Sequence, residues 1–170
     1  GSGLQTEKGR INTLGVFSKY VNAPWTLHVQ AAEQFGKYGY NDRNAQGGYA
    51  FADYDIKDVV MKPQLNAGFV YLSGDRKGTV DNEGWDPLFC RFPLYSEIYA
   101  QSFQYESGNG YLTNLSLYRA GVTLVPMDKS KFNLNYSFLR ANNLTTPNTA
   151  YNLSGAGKNR GHLLMAKFDY

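Results

Sequence analysis

Four cations carry the chemistry that the chain offers. Arg91, Arg119, Arg140 and Lys167 each lie in or beside a stretch where apolar and polar residues alternate. A guanidinium presents a planar fork that pairs with a carboxylate through two parallel hydrogen bonds, which suits it to hold an anion. Glu97, Asp53 and Asp55 are the carboxylates placed to hold such cations in position. The same set has a second reading, an internal salt-bridge network that fills a narrow interior. Catalysis finds little support. His28 and His162 are the only histidines, and no Gly-x-Ser-x-Gly turn supplies a nucleophile for either. Neither histidine has metal-ligand spacing to scattered acids. His28 reads as a polar-face residue and His162 as a strand-end residue. Cys90, the single cysteine, excludes an internal disulfide and a thiolate zinc site, and reads as a small buried apolar residue. No catalytic group, metal or cofactor is expected.

The elements that would position these residues are strands. Fourteen Tyr, ten Phe and eighteen Gly in 170 residues favour a turn-rich β protein over a helical one. Period-2 alternation recurs in eight segments, and no helical period persists over three turns. These segments are about Arg10 to Val21, Trp25 to Gln34, Tyr49 to Met61, Gln64 to Tyr71, Leu94 to Tyr105, Tyr118 to Leu124, Phe132 to Phe138 and His162 to Tyr170. Arg119 falls on the polar face of the sixth segment, and Arg91 precedes the fifth. Three links are tight and carry proline, at Asn22-Ala23-Pro24, Lys62-Pro63 and Pro126 to Lys129. Three others, about 37 to 48, 74 to 93 and 141 to 160, read as long loops rich in Gly, Asn and Asp.

The polar faces are mostly Asn, Gln, Ser, Thr and Gly, whereas a soluble barrel would show many Lys and Glu. The apolar faces carry Tyr, Phe and Trp near the strand ends. Short turns at one end, long loops at the other, and aromatic girdles are the pattern of an outer-membrane barrel. No apolar run is long enough for a membrane helix, but a barrel strand needs only about 9 to 11 residues. A net charge of +3 with no basic run argues against nucleic acid. Gly1-Ser2-Gly3 looks like a cloning scar, so residues 1–9 read as a tag or leader remnant and 10–170 as one β domain.

A family resemblance enters with the stretch from Trp85 to Tyr99. Asp86-Pro87-Leu88-Phe89-Cys90-Arg91-Phe92-Pro93-Leu94-Tyr95-Ser96-Glu97 resembles a segment of the bacterial alginate export family that leads into a barrel strand. It departs at Cys90 and Phe92, where the family carries Gly and Trp. Tyr71 to Asp75, Leu117 to Gly121, Val125 to Lys129 and Asn133 to Tyr136 are similar to family strands and turns. The resemblance implies an antiparallel, up-and-down transmembrane β-barrel in the bacterial outer membrane, with about eight strands in this chain. That is fewer than the family's larger barrels, so a fragment or cut-down form is expected. It implies passive passage of an anionic, alginate-like polysaccharide or its oligomers, and periplasmic export partners. Arg91, Glu97, Arg119, Asp53, Asp55, Arg140 and Lys167 would line the pore, the arginines giving anion selectivity. The alternative is a soluble eight-stranded lipocalin-like barrel that binds an apolar small molecule.

Chain parity raises one problem. With all the proline turns at one end, the fourth and fifth segments need a connection that crosses the height of the barrel. A spare strand near 76 to 92 would solve it, as would folding of that segment into the lumen or a different assignment of one of the turns.

Overall fold

A computed structural model describes residues 9–87, 113–144 and 157–170. The strands are β1 (Arg10–Asn22), β2 (Trp25–Tyr38), β3 (Asn41–Asp55), β4 (Gln64–Leu72), β5 (Leu115–Leu124), β6 (Lys131–Arg140) and β7 (Asn159–Asp169). They form one seven-stranded antiparallel sheet in sequence order, an up-and-down meander. Among the described residues, β1 and β7 are its edges and no pairing joins them.

The three links read from the sequence as proline turns all fall at one end of the sheet. Ala23-Pro24 joins β1 to β2, residues 56–63 join β3 to β4, and 125–130 join β5 to β6. The other end carries the β2–β3 turn and the connections 73–114 and 141–158. β4 pairs directly with β5, from Gln64 opposite Thr123 to Leu72 opposite Leu115. The connection between them therefore leaves and returns at the same end, and the parity problem disappears. The strand expected over Leu94 to Tyr105 lies outside the described residues.

Two expectations are corrected. The long loop at 37 to 48 is a tight hairpin, because β2 runs on to Tyr38 and β3 begins at Asn41. Gly39, at φ 63°, adopts the left-handed turn conformation that few other residues take readily. Asn41 to Gly48 reads as loop by composition, yet its backbone is paired on both sides. Lys37 faces Asp42 and Gly36 faces Arg43 across the hairpin. On the other side Asn82 donates to the Asp42 carbonyl (2.7 Å) and accepts from the Asn44 amide (3.0 Å), filling the edge position that β4 vacates after Leu72. The second correction concerns the third segment, which ends at Asp55 and not at Met61. Asp58, Met61 and Lys62 have positive φ, a geometry that a strand does not tolerate.

The two faces of the sheet differ in kind. One carries Trp25, Leu27 and Val29 of β2 opposite Tyr54, Ala52 and Ala50 of β3, continuing through Leu65 and Phe69, Tyr118, Leu134 and Tyr136 to Leu164 and Phe168. No described residue covers it: Leu14 is 72% exposed, Leu164 69% and Trp25 48%. The opposite face holds Thr26, His28 and Gln30, which are more buried than the apolar residues between them. Burial thus alternates along β2 in the reverse of the water-soluble sense.

Within that second face lies the one compact apolar cluster of the described residues, Val70, Leu72, Leu115, Leu117 and Leu139, flanked by Tyr49, Phe51, Trp85 and Leu163. Residues 84–86 cross over it from the β4 side to β2. Arg43 Nη1 donates to the Gly84 carbonyl at 2.6 Å. Gln34 grips the Asp86 backbone twice, Nε2 donating to its carbonyl (2.7 Å) and Oε1 accepting from its amide (2.8 Å). The Trp85 ring occupies the space above Gly47, where an added Cβ would meet it at 2.8 Å. The segment expected to hide a strand or fold inward therefore lies, in its described part, across the more buried face.

Candidate functional site

Toward the proline-turn end, beyond the apolar cluster, the same face becomes polar. One row runs Lys19, His28, Phe51, Gly68, Arg119 and Ser137 across β1 to β6. The next runs Val21, Thr26, Asp53, Asn66, Gly121 and Asn135. A recess of about 410 Å³ opens here, lined by His28, Phe51, Asp53, Asn66, Arg119 and Asn133 among others.

Glycines shape this floor. A Cβ at Gly68 would collide with the Phe51 ring, so that ring lies flat over β4 and leaves room beside Arg119. A Cβ at Gly121 would strike the Asn135 side chain, which leans over β5 to accept a hydrogen bond from Arg119 Nε at 3.1 Å. Arg119 is thus held by a neutral amide where it lines a polar recess. Thr123 donates to Asn133 Oδ1 at 2.7 Å and Gln64 Nε2 to Asp55 Oδ1 at 2.7 Å, so the rim is an organised hydrogen-bonding surface. Such a set offers one fixed cation, carboxylates, hydroxyls and amides, and an aromatic ring: groups that exchange hydrogen bonds with a hydroxyl-rich anion.

The expected pore residues divide. Asp53 and Arg119 line the recess together. Asp55 and Lys167 stand on the same face at its proline-turn rim, with Lys167 paired to Asp169 at 2.7 Å. Arg140 does not join them: it shares a row with Tyr71 and Ser116, on the exposed apolar face at the far end. Arg91 and Glu97 lie outside the described residues. Sequence reasoning passed over His28, Asn66, Asn133 and Asn135 as site residues, although each alternates with apolar neighbours in its strand. Nominating charges alone was what hid them. His162 stands on the exposed apolar face, outside the recess. Its Nδ1 lies 2.6 Å from the Tyr136 hydroxyl on the apolar face. No cluster of three metal-ligating side chains occurs among the described residues.

At the other end, Arg76 holds Glu83 through a bidentate ion pair, with Nε to Oε2 at 2.6 Å. The hydrogen bond from Arg76 pulls the Glu83 carboxyl below its ordinary range.

The described residues thus form an all-β meander with one exposed apolar face and one face that carries a polar recess. The chain matches the family model described as alginate export over residues 4–169, and it belongs to that family. No curated protein matches it. No described helix is long and apolar enough to cross a membrane, which leaves crossing by strands untouched.

Proposed function

We propose that the sheet is the wall of a transmembrane β-barrel in the bacterial outer membrane, passing an anionic, alginate-like polysaccharide or its oligomers by passive diffusion. The observation that carries this reading is the inverted burial: along β2 the exposed side chains are Trp25, Leu27 and Val29, and the half-buried ones are Thr26, His28 and Gln30. An apolar surface spanning seven strands that no described residue covers far exceeds the few hundred Å² that soluble monomers expose, and lipid would satisfy it. In β6 this face runs from Phe132 to Arg140, nine residues whose eight rises of about 3.4 Å span about 27 Å. A strand tilt of ~40° reduces that to about 21 Å, close to the ~25 Å apolar band of such barrels.

On this reading the polar face is the lumen. Arg119, held by Asn135, is the fixed cation that selects anions, with His28, Asp53, Asn66 and Asn133 hydrogen-bonding the sugar. The free edges of β1 and β7 would be closed by further strands, since open edges have no place in lipid. Family membership supports polysaccharide export, and the partners would be outer-membrane lipid, the polysaccharide and periplasmic export components. A soluble lipocalin-like barrel fits less well, because it would gather the aromatic residues inside around a ligand.

The experiment is planar-bilayer conductance with a salt gradient. Arg119→Glu should abolish or reverse the anion preference. Unchanged conductance and selectivity would take Arg119 out of the path.

A further inference from the structure

Two aromatic rings border the polar recess, and a filter for small anions alone has no use for them. Tyr49 and Phe51 of β3 line it together, their centroids 5.3 Å apart and their planes tilted by 45°. Phe51 stands between His28 in β2 and Gly68 in β4, and Arg119 follows Gly68 in the same row. The ring leans to the glycine side: a Cβ on Gly68 would meet its Cδ1 and Cε1. An apolar surface is thereby held next to Arg119, with Asp53, Asn66 and Asn133 around it. Both rings pack against the buried cluster that includes Val70 and Leu117, which supports them, yet both remain only half-buried.

Apolar surface left facing water is unfavourable, and a molecule that covers it gains that free energy. A uronate ring has the matching parts: a patch of C–H groups on its face, hydroxyls round its rim, and one carboxylate. The C–H patch suits an aromatic face, whose quadrupole is negative. The guanidinium suits the carboxylate, and Asp53 and the amides suit the hydroxyls. At about 410 Å³ the recess falls within the ~300–1,000 Å³ range of small-ligand sites. We infer that this recess is a saccharide subsite, in which a uronate ring stacks on Phe51 beside Tyr49 while Arg119 holds its carboxylate. This rests on the conduit reading and deepens it: Arg119 supplies the preference for anions, and Phe51 the preference for sugars among anions.

The test titrates the full chain, refolded in detergent or lipid, with two trimers of equal charge. One is an alginate trimer; the other is triglutamate, which has no sugar ring. The wild-type chain should bind the sugar trimer more tightly, by roughly tenfold for one stacked ring. Phe51→Leu should raise the Kd of the sugar trimer by about that factor and leave that of triglutamate unchanged. Phe51→Tyr, which keeps the ring, should retain the wild-type preference, and Arg119→Gln should weaken both trimers. Equal wild-type affinities, or no binding of the sugar trimer, would overturn the assignment whether or not any variant folds. So would a Phe51→Leu protein that keeps the preference, or one that loses both trimers alike, since the ring would then be structural. If the bilayer current prefers anions but the trimers bind alike, only this inference falls. If the sugar trimer binds preferentially but the wild-type chain carries no anion current, the conduit reading falls and the subsite stands as a binding site.

Discussion

Two hydrogen-bonded pairs show how single residues are fitted to the two faces. Tyr136 and His162 meet at 2.6 Å on the apolar face, each satisfying a group that lipid would leave unbonded. Replacing one partner strands the other, whereas replacing both with apolar rings of similar shape removes the debt. We therefore expect Tyr136→Phe to cost about 1 to 3 kcal/mol, and the Tyr136→Phe, His162→Phe double variant to recover most of it, measured by urea unfolding in vesicles. On the other face, Asn135 positions Arg119 without neutralising it. Asn135→Leu should weaken anion preference while leaving a folded protein, whereas unaltered reversal potentials would show that Arg119 needs no positioning. The existence of a polar face bearing Arg119 and Asp53 is legible in the alternation of β3 and β5. That Asn135 crosses β5 to reach the arginine is not, because it depends on Gly121 lacking a side chain in the neighbouring strand.

At the scale of elements, the crossing segment 84–86 is the feature least readable in advance. Its anchors are remote in sequence: Gln34, Arg43 and Gly47 belong to the first hairpin, and the backbone they hold follows β4. Alternation locates strands because their side chains obey a local period, but a segment held by side chain-to-backbone bonds across fifty residues has no such signature. The same contacts keep the polar stretch Asn41 to Gly48 as a strand despite its loop-like composition. Gly47→Ala should push Trp85 off the sheet and cost about 1 to 3 kcal/mol, seen as faster hydrogen exchange at the Trp85 and Asp86 amides. Exchange no faster than wild type would mean that the ring is not seated there. The adjoining loop should respond to acid. Because Arg76 lowers the Glu83 carboxyl in the folded loop, its contribution is complete above the ordinary glutamate value of about 4.3. It is lost as pH falls from there through the lowered folded value. Exchange within residues 75–83 should rise over that window, and Glu83→Gln should flatten the change.

For the molecule as a whole, topology and environment follow from different features of the chain. The up-and-down order comes from short proline turns at one end and from connections that return to the end they left, as β4 and β5 do. The environment comes from which face is left uncovered, and alternation by itself is silent on that point. Sequence already separates Trp25, Leu27 and Val29 from Thr26, His28 and Gln30. Burial separates the two: the second face is the more buried along β2 and carries the packed segment 84–86 over Gln34 and Arg43, which leaves the first as the exposed one. The measurement that tests this account most directly is refolding of the chain with and without detergent or lipid, followed by circular dichroism and gel heat-modifiability. The account predicts β structure and a heat-modifiable band only when detergent or lipid is present. A soluble, monomeric, β-rich protein in plain buffer would contradict it, because the apolar face would then have to be covered by the protein itself.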